Sequence, residues 1–146
     1  MKGKTRKISD VEEELIIPSD FKYLSVVEAF IVNLCKRAGL GEDQSDNMAI
    51  AITELVNNAI VHANKQDPHK LVTLGAYYHD NRVVVKIRDQ GQGFDPNKIA
   101  NPTDPQNLWK QSGRGVFLVR NLIDEVEIES SDQGTLVTLT EYISQN

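Results

Sequence analysis

Glu54, Asn58 and His62 recur at helical spacing in Glu54-Leu-Val-Asn-Asn-Ala-Ile-Val-His-Ala-Asn64, and two glycine-bearing stretches follow, Asp89-Gln-Gly-Gln-Gly-Phe-Asp95 and Ser112-Gly-Arg-Gly-Val-Phe-Leu118. These are the residues whose types could do chemistry. On a helix, positions i, i+4 and i+8 form one line. The amide oxygen of Asn58 suits Mg2+ as a single protein ligand, because magnesium keeps waters and phosphate oxygens for most of its octahedron. Glu54, one turn away, could take a proton from a hydroxyl or orient it for in-line attack. Asp89, at a strand end beside glycines, offers an acceptor to the exocyclic amine of adenine, and Gly91 and Gly93 lack the Cβ that would hold a base or sugar away. Gly113-Arg-Gly115 at the start of a helix offers unpaired N–H groups and the positive end of the dipole to phosphates. Arg114 adds a charge for the γ-phosphate or for a partner. Together these residues ask for a nucleoside triphosphate with magnesium.

A plainer reading treats Glu54, Asn57 and Asn58 as the wet side of an amphipathic helix, as most polar helix residues are. The two glycine stretches, in this order after the helix, tip the balance toward a site. His62 either faces that site or solvent. His69 and His79 read as turn and surface residues. Other phosphate-binding patterns fit worse: there is no Gly-x-x-x-x-Gly-Lys-[Ser/Thr] loop. Gly113-Arg-Gly115 follows a loop and not a strand, against a dinucleotide fingerprint. Val83-Val-Val-Lys86 lacks the catalytic loop and Asp-Phe-Gly of ordinary protein kinases, and no Cys/His cluster has zinc spacing.

The elements that must position these residues follow from periodicity. Met48, Ile52, Leu55, Val56, Ala59, Ile60 and Ala63 gather on one side of the site helix, a stripe wide enough to face a core. Acids after Gly41 open that helix, and it must end near Asp67-Pro68. An earlier helix, from Tyr23 to Ala38, carries Leu24, Val27, Phe30, Ile31, Leu34, Cys35 and Ala38 on its core face, with Ser19 or Asp20 to cap it and Gly39 to stop it. Val11–Ile17, ended by Pro18, reads as an edge strand. Leu71–Tyr78 and Arg82–Arg88 are strands joined by a turn through Asp80-Asn81, and the second delivers Asp89 to its end. Pro96–Gln111 has no period, which in a compact domain points to a lid or binding loop. A short helix on Val116, Phe117, Val119, Leu122 and Ile123 and a hairpin of Val126–Ser130 with Thr135–Thr140 close the chain. The expected fold class is an α/β (α+β) two-layer sandwich, a mixed or mostly antiparallel sheet with helices on one face.

The 146 residues fit one domain. A net charge of −5 gives no reason to expect direct nucleic-acid binding. Nothing approaches a membrane-spanning or secretory segment, so a cytoplasmic location is expected. The single cysteine, Cys35, reads as a small buried hydrophobe. Residues 1–10 read as a flexible leader.

Glu54-x-x-x-Asn58, Asp89-x-Gly91-x-Gly93 and Gly113-x-Gly115 resemble the N-box and the two glycine boxes of the GHKL ATPases, which share the Bergerat sandwich. The short length, Ile17-Pro-Ser-Asp20, Asn58-Ala-Ile-Val-His62, Gly113-Arg-Gly-Val-Phe-Leu-Val119, Asp124-Glu-Val126 and Gly134-Thr135 look most like the anti-sigma factor serine kinases within that superfamily. The similarity runs from about Val11 to the end, one domain over 11–146. It implies ATP and Mg2+ as cofactors, Glu54 as catalytic base, Asn58 as magnesium ligand, Asp89 as adenine contact, Gly113–Gly115 as phosphate binders, residues 96–112 as an ATP lid and Thr135 within reach of the nucleotide. It also implies a STAS-type antagonist protein as phosphoryl acceptor, a sigma factor held inactive in alternation, and a homodimer. Two readings stand beside it: a nucleotide-binding module that sequesters a partner without transfer, and a stand-alone histidine-kinase ATPase domain.

Overall fold

A computed structural model of the chain describes residues 12–91 and 111–144. The expected leader, Gly93 and residues 96–110 of the expected lid lie outside them. The elements run β1 (Glu13–Pro18), a 3-10 turn (Phe21–Tyr23), α1 (Leu24–Ala38), α2 (Glu42–Asn58) with a π-helical extension (Ala59–Ala63), β2 (Leu71–His79), β3 (Arg82–Arg88), α3 (Gln111–Leu122), β4 (Glu125–Ser131) and β5 (Gly134–Tyr142). The strands form one sheet in the order β1-β2-β3-β5-β4. Every pairing among them is antiparallel, which resolves the mixed or antiparallel expectation.

Strand alternation sets the core. Leu15, Leu74, Ile87, Val137 and Ile128 align across all five strands, and all five belong to the core against which the helices pack. A one-residue slip of any strand would turn its apolar set away from the helices, so the pattern fixes the register. α2 presents Met48, Ile52 and Val56, all fully buried, and α1 adds Val27, Ile31 and Leu34. Each such side chain contributes about 1.5–3 kcal/mol on leaving water. Cys35 is buried as expected, and burial raises its thiol pKa. Asp20, and not Ser19, caps the turn before α1 by accepting from Lys22 N at 2.9 Å. On the edge strand β4, Val126 and Ile128 turn inward while Glu125, Glu127 and Glu129 stand exposed.

Antiparallel pairing of β3 with β5 gives the sheet two distinct ends. At one, β3 runs out into Asp89 and β5 begins with Gly134-Thr135. At the other, β5 ends in the buried Glu141, which accepts from Asp124 N at 3.1 Å and from Gln44 Nε2 at 3.0 Å. Gln44 lies in the first turn of α2 and Asp124 lies in the α3–β4 corner, so this carboxylate ties both helices to the sheet. Asp124 Oδ2 returns the link by accepting from Tyr142 N at 2.8 Å.

Candidate functional site

α2 runs along the sheet from the Glu141 end to the Asp89 end, and α3 lies against it. Glu54 and Asn58, one turn apart near its C-terminus, are half-buried beside Gly115 of α3. A Cβ at Gly115 would overlap Asn58 Nδ2 and come within 2.9 Å of Glu54 Oε2. The glycine therefore gives room to two polar side chains of α2, where the sequence suggested an N–H donor to a phosphate. α3 also begins earlier than expected. Gln111 and Ser112, expected at the end of the lid, are helical, so Gly113–Gly115 lie within α3 and not ahead of it.

The second part of the site is the corner after β3. Asp89 is 9% exposed, and its Oδ1 accepts from Gly91 N and from Thr135 N, each at 3.0 Å. Asp89 N in turn donates to Thr135 O at 3.0 Å. Oδ2 takes part in neither side-chain bond. Burial pushes the Asp89 carboxyl above the usual range, while the two N–H groups and the Arg88 charge pull it down. Gly134, at φ 140, sits against the Asp89 carbonyl where a Cβ would collide. Thr135 is buried and its hydroxyl pairs with Ser130 Oγ at 2.9 Å, so among the described residues its link to the site runs through Asp89.

The π-helical turn joins these two parts. Asn64 N reaches back five residues to Ala59 O at 2.8 Å, wider than an α turn, and Lys65 and Gln66 then take positive φ of 53° and 57°. His62, on this turn, is exposed. Gly91 lies against its end, where a Cβ would stand 2.5 Å from Ala63 O. Asn64, beside it, is completely buried and hydrogen bonded on both sides of its amide. Sequence reasoning missed this residue, because an asparagine in a helix tail reads as a C-cap or a solvated side chain. The structure thus brings Glu54, Asn58 and Gly115 together, with Asp89, Gly91 and Thr135 as a separate cluster, and leaves His62 on the surface.

Magnesium fits this donor set on chemical grounds. Among the described residues no group of three or more His, Cys, Asp or Glu could hold an ion, and a magnesium carried by phosphates needs only one or two protein oxygens. Asn58 can supply one of them. No described helix is long and apolar enough to cross a membrane.

The chain is 28% identical over 138 residues to the serine-protein kinase RsbW of Bacillus cereus and to that of Bacillus anthracis, covering 90% of this chain and 85% of each relative. Among solved structures, the RsbU and RsbW domains of a Mycobacterium tuberculosis protein superpose with a TM-score of 0.67 at 20% identity, over 92% of this chain and 33% of that one. The histidine kinase domain of a blue-light activated kinase from Erythrobacter litoralis gives 0.56 at 18% identity, over 97% of this chain and 67% of that one. At such identities the two superpositions speak for the fold alone, an antiparallel sheet with helices packed on it. The model of the histidine kinase-like ATPase domain matches residues 17–141, and the chain belongs to that family.

Proposed function

We propose that this protein is an ATP- and magnesium-dependent serine/threonine-protein kinase that works as an anti-sigma factor in a partner switch. The observation that carries the reading is the packing of Gly115 on Glu54 and Asn58, which sets a carboxylate and an amide beside the start of a helix. In this reading Asp89 Oδ2 accepts from the adenine amine, while Gly91 keeps the wall of the base slot low. The first N–H groups of α3, with Gly113 and Arg114 among them, meet the phosphates. Asn58 would hold Mg2+ through its amide oxygen, and the ion would supply positive charge against the phosphates.

Glu54 takes the proton of the acceptor hydroxyl as its oxygen bonds to the γ-phosphorus and the bond to the β,γ-bridging oxygen breaks, releasing ADP. The acceptor is a serine or threonine of a STAS-type antagonist, and the unphosphorylated antagonist competes with a sigma factor for the kinase. The relatives named serine-protein kinase RsbW support this choice of chemistry. The kinase acts as a homodimer in the cytoplasm. Thr135 steadies Asp89 from behind, and the exposed His62 is given no part in the chemistry.

The test is phosphoryl transfer from labelled ATP, with magnesium, to a STAS protein encoded beside this one. Glu54→Ala should abolish transfer, by at least about a hundredfold for the loss of a general base, while ATP still binds. Normal phosphorylation by that variant would remove Glu54 from the role of base.

A further inference from the structure

The Asn64 side chain is fully buried, and its partners lie on three separate segments. Nδ2 donates to Ser19 Oγ at 2.8 Å and to Leu71 O at 3.1 Å, while Oδ1 accepts from Gln90 N at 2.9 Å. Ser19, itself 1% exposed, donates its hydroxyl hydrogen bond to Lys70 O at 2.7 Å. Gln90 closes the loop when its Oε1 accepts from Leu71 N at 2.7 Å. One amide therefore joins the end of β1, the start of β2 and the residue after Asp89. The neighbouring Gly91 is pressed on Ala63, so both sides of Gln90 are held by the end of the site helix.

The π turn makes this possible. On an unbroken α-helix Asn64 would stand only at the margin of the core stripe of α2, because twelve residues from Ile52 and eight from Val56, at about 100° each, carry it about 120° and about 80° past them. A π turn advances less per residue, and the five residues Ala59–Ala63 wind Asn64 back toward the interior. The positive φ of Lys65 and Gln66 immediately afterwards is unfavourable for residues with side chains and persists only where the surroundings impose it. A polar residue is thus carried inside by two costly backbone features and satisfied there by three hydrogen bonds.

We propose that Asn64 is a positioning residue for nucleotide-base recognition: it locks the Asp89–Gly91 corner onto the end of the helix that bears Glu54 and Asn58. The inference rests on the reading of Asp89 as the contact to adenine. Glu54, Asn58 and the start of α3 do not depend on this lock, so loosening it should spoil recognition of the base and spare recognition of the phosphates.

The experiment compares the full-length wild type with Asn64→Ala and Ser19→Ala, titrating each with MgATP and with magnesium tripolyphosphate, which has no base. Asn64→Ala should weaken ATP at least tenfold and Ser19→Ala about threefold, with tripolyphosphate affinity unchanged in both. Unchanged ATP affinity, or a parallel loss for both ligands, overturns the proposal. If Asn64→Ala does not fold, Ser19→Ala decides by the same pattern. Amide exchange in nucleotide-free protein gives an independent readout: the Gln90 and Gly91 N–H groups should exchange faster in Ser19→Ala while core amides of α2 do not. Equal rates there would also overturn it. A wild type that binds neither ligand would refute the functional reading, and the exchange measurement would still judge the lock.

Discussion

The two ends of the sheet each bury a carboxylate, and each carboxyl is pushed above its usual range chiefly by loss of water. Asp89 gathers both of its N–H donors, from Gly91 and Thr135, on a single oxygen. Glu141 spends both oxygens, one on Asp124 N and one on Gln44 Nε2. Among the described residues, one carboxylate keeps an acceptor in reserve and the other is closed into the fold. A buried acid with its acceptors fully used is a clasp, and one with an oxygen to spare can await a ligand. Burial and pKa alone would not separate the two.

The sharpest way to test that difference is Asp89→Asn. The amide can still accept from the two backbone N–H groups, but it presents the wrong group to an adenine amine. ATP affinity measured by calorimetry should fall about a hundredfold, close to the loss of a charge-assisted hydrogen bond with its partner left unpaired. Nucleotide-free protein should melt about 2–4 °C higher at pH 7, since a buried charge has been removed. Wild-type affinity in this variant would make the two ends equivalent after all.

Glu141→Ala should do the opposite. With Asp124 N and Gln44 left without their acceptor, urea unfolding should show a loss of about 2 kcal/mol. ATP affinity of the folded protein should stay within about twofold, because the change lies some 20 Å away along β3. A large loss of ATP affinity would mean that the clasp reaches the site.

The smallest effect is in pH. Both carboxyls have folded values above their unfolded ones, so the stability they contribute is fully present below the ordinary carboxylate range, near pH 4, and is lost as pH rises through the raised values. Subtracting the melting curves of Asp89→Asn and of Glu141→Gln from wild type should each show a wild-type disadvantage that grows with pH. Bound ATP should shrink that disadvantage for Asp89 only. A disadvantage growing toward acid would reverse the sign of the argument.

Much of this arrangement could be read from residue spacing. The alternation of Val83, Val85 and Ile87 and the stripe through Met48, Ile52 and Val56 depend on one element at a time, and the strands and α1 appear within a residue or two of where periodicity puts them. Two features depend on contacts between elements and could not be read. Gly115 serves the bulk of Glu54 and Asn58 on another helix, so its position looked like part of a phosphate loop. The π turn leaves no mark in Ala59-Ile-Val-His-Ala63, whose apolar spacing suits an α-helix as well, and so Asn64 and Ser19 were invisible as partners. Glu141 was hidden for the same reason, since a glutamate late in a strand reads as solvent-facing until Gln44 and Asp124 are brought to it.

The exposed glutamates of β4 have a consequence for how other proteins can meet this one. Glu125, Glu127 and Glu129 line the rim where the sheet stops, so a second such rim approaching in line would meet its own sign of charge. Self-templated growth of the sheet, the usual hazard of an uncovered last strand, is opposed there by repulsion. Whatever binds on that side must be drawn by side chains, and a basic surface suits it better than another backbone.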